Sequence, residues 1–398
     1  MNSFERVKAA INFSGPDKVP IMNYGQSNSD IWPLVTMFSQ NWRPGFAEDE
    51  KGLFPYSYSY SLLTKKWQEN PPEWVKDPKY KEWWKRPHEE IDEWGCIWQQ
   101  GTTKTIGHPS RPSLPEWSKL DEYLERYAPD PEDKSRYSLF LKLTKEFGKN
   151  KYHMVLLGPH APFMIACNMR GFENFMADHI LNPDKVKFLL NYLKDWFVKS
   201  MKMWAKYGDP HGFIIADDLG TQDSPFMSPQ MFKEFYEPVY RPLFETAHDL
   251  GCEFHLHSCG KVDRLIPHFI DWKLDALEFD SPRMSGYTDL KPFRGRIMFW
   301  GCVNIQTIYT GGTPEECERE VWHMMRNLGT KNGGFGAYFY AQPEHIKVPS
   351  KNIRAFARGL RKYGNYAKIP PNWWSYPTVE TWNISGSDIV PPLPPLEV

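Results

Sequence analysis

The chain has 398 residues, 41% of them hydrophobic, and a formal net charge of -1. That balance excludes the strongly basic footprint of a nucleic-acid surface, and no apolar run approaches the ~20 residues of a membrane span. Six cysteines scattered from Cys96 to Cys317 argue against a disulfide framework and, with no apolar signal-peptide core near Met1, point to a cytoplasmic protein.

In chain order, residues 3–12 have the pattern of a short helix, followed by a proline turn at 16–20. Residues 19–24 form a short apolar strand that runs into the polar stretch Asn23-Tyr-Gly-Gln-Ser-Asn28. Residues 40–135 carry many of the 17 tryptophans and 35 prolines, with little periodicity and a hairpin expected near 93–98. They are expected to form an aromatic-rich insertion over the mouth of the main domain.

Beyond it the pattern is regular. Strands are expected at 152–157, 212–216, 253–257, 276–279, 297–300 and 335–340. Helices are expected at 161–178, 182–206, 228–251, 261–271, 313–328 and from 350. Ser228-Pro229 supplies an N-cap and a first-turn proline, and Thr313-Pro-Glu-Glu316 a capping box. Strands alternating with helices at this spacing imply βα units on a parallel sheet. No Gly-rich phosphate turn follows the first strand, so a TIM (β/α)8 barrel is favoured over an open doubly wound sheet. The missing strands are expected within 40–135. A single α/β barrel domain over 1–365 would then be followed by a Pro-rich extended tail over 366–398.

Residues 253–257 alternate, with Glu253, His255 and His257 on one face, and Ser258-Cys259-Gly260 ends the strand. An imidazole and a thiol one residue apart at a strand end can both reach one zinc ion. A buried histidine beside a buried free cysteine is the plainer reading of the pair alone. In an α/β barrel, functional groups gather at the carboxyl ends of the strands. Those ends hold Tyr24 and Gln26, His160, Asp217 and Asp218, Asp280, Cys302 and Asn304, and Glu344 and His345.

Four motifs, in order, closely resemble the uroporphyrinogen decarboxylase superfamily: Asp217-Asp-Leu-Gly-Thr-Gln-Asp-Ser-Pro-Phe-Met-Ser-Pro229, His257-Ser-Cys-Gly260, Trp300-Gly-Cys-Val-Asn-Ile-Gln306 and Gly312-Thr-Pro-Glu-Glu316. Arg170-Gly-Phe-Glu173 and Gly107-His-Pro109 are similar too, and the resemblance runs from about residue 3 to 364. The branch it looks most like is the cobalamin-dependent zinc methyltransferases. The resemblance implies a zinc-dependent methyltransferase moving a methyl group from an O-, N- or S-methyl substrate to a corrinoid (cobalamin), or the reverse. The corrinoid would come on a partner protein. Asp217, Asp218 and Asp280 would be catalytic, and Tyr24, Gln26, His160, Gln222 and Asn304 would contact a small methylated substrate, aromatic or ammonium. His257 and Cys259 would hold the zinc. The family's third ligand, a cysteine from the last strand's end, is replaced here by Gln342, so Cys302, Glu344 or His345 would complete the set. The decarboxylases' arginine-rich segment after the first strand has no arginine here, and unpaired substrate carboxylates would be costly to bury. A decarboxylase of a smaller substrate and a non-catalytic corrinoid or tetrapyrrole binder remain as alternatives, and a homo-oligomer is open.

Overall fold

The computed structural model describes residues 1–39, 87–101, 107–126, 128–369 and 374, with the backbone of Phe54–Pro55. The greater part of the expected 40–135 insertion, its placement over the mouth, and the proline-rich end of the tail lie outside the described residues. Twelve strands are described. They begin with β1 (Ile21–Met22), β2 (Ile31–Val35), β3 (Phe54–Pro55), β4 (His88–Ile91), β5 (Ile97–Gln100) and β6 (His108–Arg111). The regular part adds β7 (Tyr152–Leu156), β8 (Gly212–Ala216), β9 (Glu253–His257), β10 (Ala276–Phe279), β11 (Met298–Gly301) and β12 (Phe335–Tyr338). The chain divides into two compact units, one of 1–34, 140–156 and 208–398, the other of 35–139 and 157–207.

The first unit is built on an eight-stranded sheet in the order β1-β12-β11-β10-β9-β8-β7-β2. β10, β11 and β12 are buried at every position, as parallel strands covered on both faces must be. Asp30 brings the two sheet ends together. Its backbone N–H donates to the Ile21 carbonyl at 2.7 Å, and its carboxylate accepts from the Ile21 N–H at 2.8 Å. Arg6 and Ser3 of the first helix (Ser3–Ile11) hold that carboxylate at 2.6 and 2.7 Å. The result is a nearly closed barrel of the TIM type. The eighth strand is β2, not a segment of 40–135. Pro33 and the polar run before it hide it from a periodicity reading, and both are tolerated because β2 ends the sheet.

The outer helices start where their caps dictate. Ser228 accepts from Met231 N–H at 3.2 Å ahead of the helix Pro229–Asp249. Thr313 and Glu316 form the reciprocal capping box of Pro314–Leu328. No helix of the described residues is long and apolar enough to cross a membrane.

The second unit contains the sheet β3-β4-β5-β6 and the helices Pro162–Arg170, Phe172–Leu181 and Pro183–Tyr207. The helix expected over 161–178 is two helices, broken at Gly171, whose φ of 82° lies in the region glycine favours. The expected hairpin is β4-turn-β5. Buried Asp92 ties its turn, accepting from the Trp94 and Cys96 N–H groups at 2.9 Å and from the Trp98 indole at 2.8 Å.

Candidate metal centre

β8, β9 and β10 lie side by side, with Ala216 opposite His257 and His257 opposite Glu278. Their C-terminal ends therefore place Asp218, His257, Cys259, Glu278 and Asp280 on neighbouring strands. The loops after β8 and β9 are locked together. Leu219 N–H donates to Ser258 Oγ at 3.2 Å, Cys259 N–H to Asp218 Oδ1 at 3.1 Å, and Lys261 N–H to the Thr221 carbonyl at 2.7 Å. Gly260 has φ +88°, and a Cβ there would lie 2.2 Å from the Gly220 carbonyl oxygen. Only glycine lets the two loops approach this closely.

His257 Nε2 lies 3.5 Å from both Cys259 Sγ and Asp218 Oδ1. His257 Nδ1 is hydrogen-bonded to Glu278, and Cys259 Sγ lies 3.3 Å from Asp280 Oδ2. Among the described residues, Asp218, His257 and Cys259 form one group of donor atoms within 4.8 Å of one another, and His257, Glu278 and Asp280 form a second. Burial opposes charge on His257, but Glu278, Cys259 and Asp218 outweigh it and hold its pKa well above the usual histidine value. Burial, with Asp280 and Asp218, pushes the Cys259 thiol up. Burial also raises Asp280, and brings Glu278 up to about 7 against the pull of His257.

These residues fit a divalent cation. Glu278 Oε1 and Asp280 Oδ1 are buried with no hydrogen-bond partner, an arrangement that costs free energy unless a positive charge compensates it. Burial and the neighbouring acids disfavour the thiolate, and a bound metal would reverse that balance. Nitrogen, sulfur and carboxylate oxygen are zinc's ligand types, and a carboxylate on the far nitrogen of a ligating histidine is the usual orienting partner.

Not every residue singled out in the sequence joins this cluster. Asp217 is fully buried and accepts from Tyr240 Oη at 2.5 Å. Cys302 is fully buried, its thiol pushed up by burial and Asp280, and it belongs to neither donor group. Glu344 is exposed and His345 half-buried, on the turn after β12. Asn304 is buried, and its Oδ1 accepts from Gln306 and Thr307 N–H at 2.9 and 3.1 Å, which shapes the turn before a short helix. Gln26 and Gln222 are exposed on loops. Tyr24 stands nearer the cluster, its phenol pushed up by burial and by Glu278. His160 belongs to the second unit, stacked on Trp98 at 5.2 Å with 4° between the rings. Beside it is a small cavity lined by Phe38, Asp92, Trp94 and Asn168. The sequence reading missed Glu278 and Tyr338. Tyr338 ends β12 and is raised by burial and then by Glu278 and Asp280. The signal for Glu278 was an acid inside the apolar run 276–279, two residues before Asp280 and so on the same face.

A methyltransferase structure from Methanosarcina mazei matches with a TM-score of 0.56 at 14% identity, covering 91% of this chain and 99% of that one, a likeness of fold. In sequence, the chain is 26% identical over 202 residues to the methylated-thiol–coenzyme M methyltransferase of Methanosarcina mazei, a match spanning 51% of each protein. The chain thus matches about half the length of that curated relative. The family model for uroporphyrinogen decarboxylase (URO-D) matches residues 100–357, well over half of the sequence and the part that holds β7 to β12 and the donor cluster. The chain therefore belongs to the uroporphyrinogen decarboxylase (URO-D) family.

Proposed function

We propose that this chain is a zinc-dependent methyltransferase that takes a methyl group from an O-, N- or S-methyl substrate, with a corrinoid carried by a partner protein as acceptor. The observation that carries the reading is the meeting of His257 Nε2, Cys259 Sγ and Asp218 Oδ1 at the C-terminal ends of adjacent barrel strands. The similarity to a protein named for acting on methylated thiols supports methyl transfer as the reaction class.

Zinc, when bound, would supply a Lewis acid to the heteroatom that carries the methyl group. His257 would present Nε2 to it, because Glu278 occupies Nδ1. Cys259 and Asp218 would complete the protein ligands. A donor set with one thiol and one carboxylate gives up less electron density than one with two thiolates. It favours activating a leaving group over holding a thiolate nucleophile, and so favours the demethylating direction. Asp280, which burial biases toward its protonated form, would deliver a proton to the heteroatom as the methyl leaves. Tyr24 and Tyr338 would close the floor of the site around the acids. The engagement of Asp217 with Tyr240 supports this reading over a decarboxylase with Asp217 as its acid.

The test is metal analysis of the purified protein together with an absorbance assay for methyl-cobalt formation. Cob(I)alamin would be offered an aryl methyl ether, a methylated amine and a methyl thioether in turn. About one zinc per chain and methyl-cobalt formation from one donor class are expected. A protein without zinc under metal-replete conditions, or one inert to all three donors, would overturn the proposal.

A further inference from the structure

At the opposite end of the barrel, two arginines lie close to each other, and among the described residues neither has an acidic partner. Arg326, in the last turn of the helix Pro314–Leu328, is 2% exposed, and its Nε and Nη1 are buried without a hydrogen-bond partner. Arg294, just before β11, donates to the carbonyl of Gly329, three residues beyond Arg326. Its guanidinium lies 5.9 Å from the centre of the Trp374 ring. Tyr366 stacks on the same Trp374 ring at 5.9 Å, and its hydroxyl is also buried without a partner. Asp17 adjoins Tyr366, its backbone carbonyl accepting from Tyr366 N–H at 3.1 Å. Its carboxylate is already committed to Arg6, at 2.8 and 3.0 Å. Burial depresses Arg326, and the Arg294 charge depresses it further.

The negative end of the helix dipole offsets a cation in the last turn only weakly, and far less than burying an unpaired ion costs. A guanidinium left with free donors is matched best by an oxyanion, which accepts from two nitrogens at once. We propose that Arg326, Arg294 and Tyr366 form a binding site for a small oxyanion at the N-terminal face of the barrel. The two guanidinium groups supply charge and paired donors, and the Tyr366 hydroxyl supplies a third donor. The bound anion serves as a structural counter-ion, away from the metal cluster.

The experiment is thermal unfolding of the whole protein at constant ionic strength, with chloride replaced stepwise by inorganic phosphate or by acetate. Either anion should give a saturable rise of roughly 1–2 °C at about ten times its dissociation constant. Phosphate acting alone identifies a tetrahedral occupant, and acetate acting alone a carboxylate. Arg326→Met should lose the response to the effective anion while unfolding no earlier than wild type in chloride, since it removes an unpaired buried charge. Tyr366→Phe, a milder change, should weaken the anion several-fold. An absent response in wild type would overturn the site. So would a response that survives in both variants, or one lost in Cys259→Ser instead, which would place the anion at the metal cluster.

Discussion

His255 and His257 stand two residues apart on β9, on the same face and roughly 7 Å from each other, yet their surroundings are opposite. His255 is fully buried. Its Nδ1 accepts from the Trp300 indole at 3.2 Å, and its Nε2 lies 3.2 Å from Tyr152 Oη, which donates to Glu253 at 2.7 Å. Glu253 is paired in turn with Lys8. An indole N–H only donates, so Nδ1 must be the bare nitrogen and Nε2 carries the proton. The chain of donors closes with nothing left over, and burial depresses the His255 pKa to about 4. One layer up, three carboxylates and a thiol surround His257, and two of the carboxylate oxygens have no partner. A satisfied polar layer fixes the barrel interior, and an unsatisfied one marks where a ligand belongs.

The largest expected effect breaks the contrast at its upper layer. His257→Ala and Cys259→Ser should each purify with little zinc, and methyl transfer should fall by at least roughly 100-fold. His255→Leu should destabilise the fold by about 2–3 kcal/mol, because it strands the Trp300 and Tyr152 groups. It should nonetheless keep its zinc in the fraction that folds. Elemental analysis and denaturant melts separate the two. If His255→Leu lost its metal as completely as His257→Ala, the two layers would not be functionally distinct.

Next come the supporting carboxylates. Asp218→Ala should weaken zinc by at least tenfold in chelator competition, about 1.4 kcal/mol. Glu278→Gln, which keeps the shape but loses the charge on His257 Nδ1, should weaken it by about 10–100-fold. Cys302→Ala, Glu344→Ala and His345→Ala, made as the rival set, should leave affinity within about threefold. A tenfold loss in any of these three, with Asp218→Ala neutral, would move the third ligand away from β8.

Strand ends were legible because period-two alternation and the turn residues after it mark where a buried strand stops. That located β7 to β12 to within a residue or two and placed His257, Cys259, Asp218 and Asp280 at one end of the barrel. β2 was not legible, since a proline and a polar approach erase the pattern of a strand at the sheet's end. Glu278 was missed for a different reason. It lies inside its strand rather than past it, and only the register of β9 against β10 brings it opposite His257. Asp217 and Asp218 are neighbours in sequence, and nothing in sequence distinguishes the one that Tyr240 takes from the one that reaches the cluster. Such choices depend on side-chain direction across strands, which a single sequence does not record.

The smallest effect concerns the lower layer and depends on pH. The His255 pKa of about 4 lies below the ~6.5 of an unfolded chain. Its contribution to stability is therefore complete above about pH 6.5 and lost as pH falls toward 4, since the unfolded state binds the extra proton. Asp92 and Glu278, brought up to about 7, run the other way over the same window, so the total pH profile of wild type does not isolate His255. A difference does. Trp300→Phe removes the donor that keeps Nδ1 bare, so the histidine can accept a proton in the folded state nearer its ordinary pKa. The variant should be less stable than wild type by about 1–2 kcal/mol at pH 7, and the gap should narrow as pH is lowered from about 6.5 to 4.5. Nitrogen-resolved NMR of the imidazole should report the Nε2–H form in wild type throughout that range. A gap that stays constant with pH, or an Nδ1–H form in wild type, would mean that the Trp300 contact does not set the state of His255 and that the lower layer is held by packing alone.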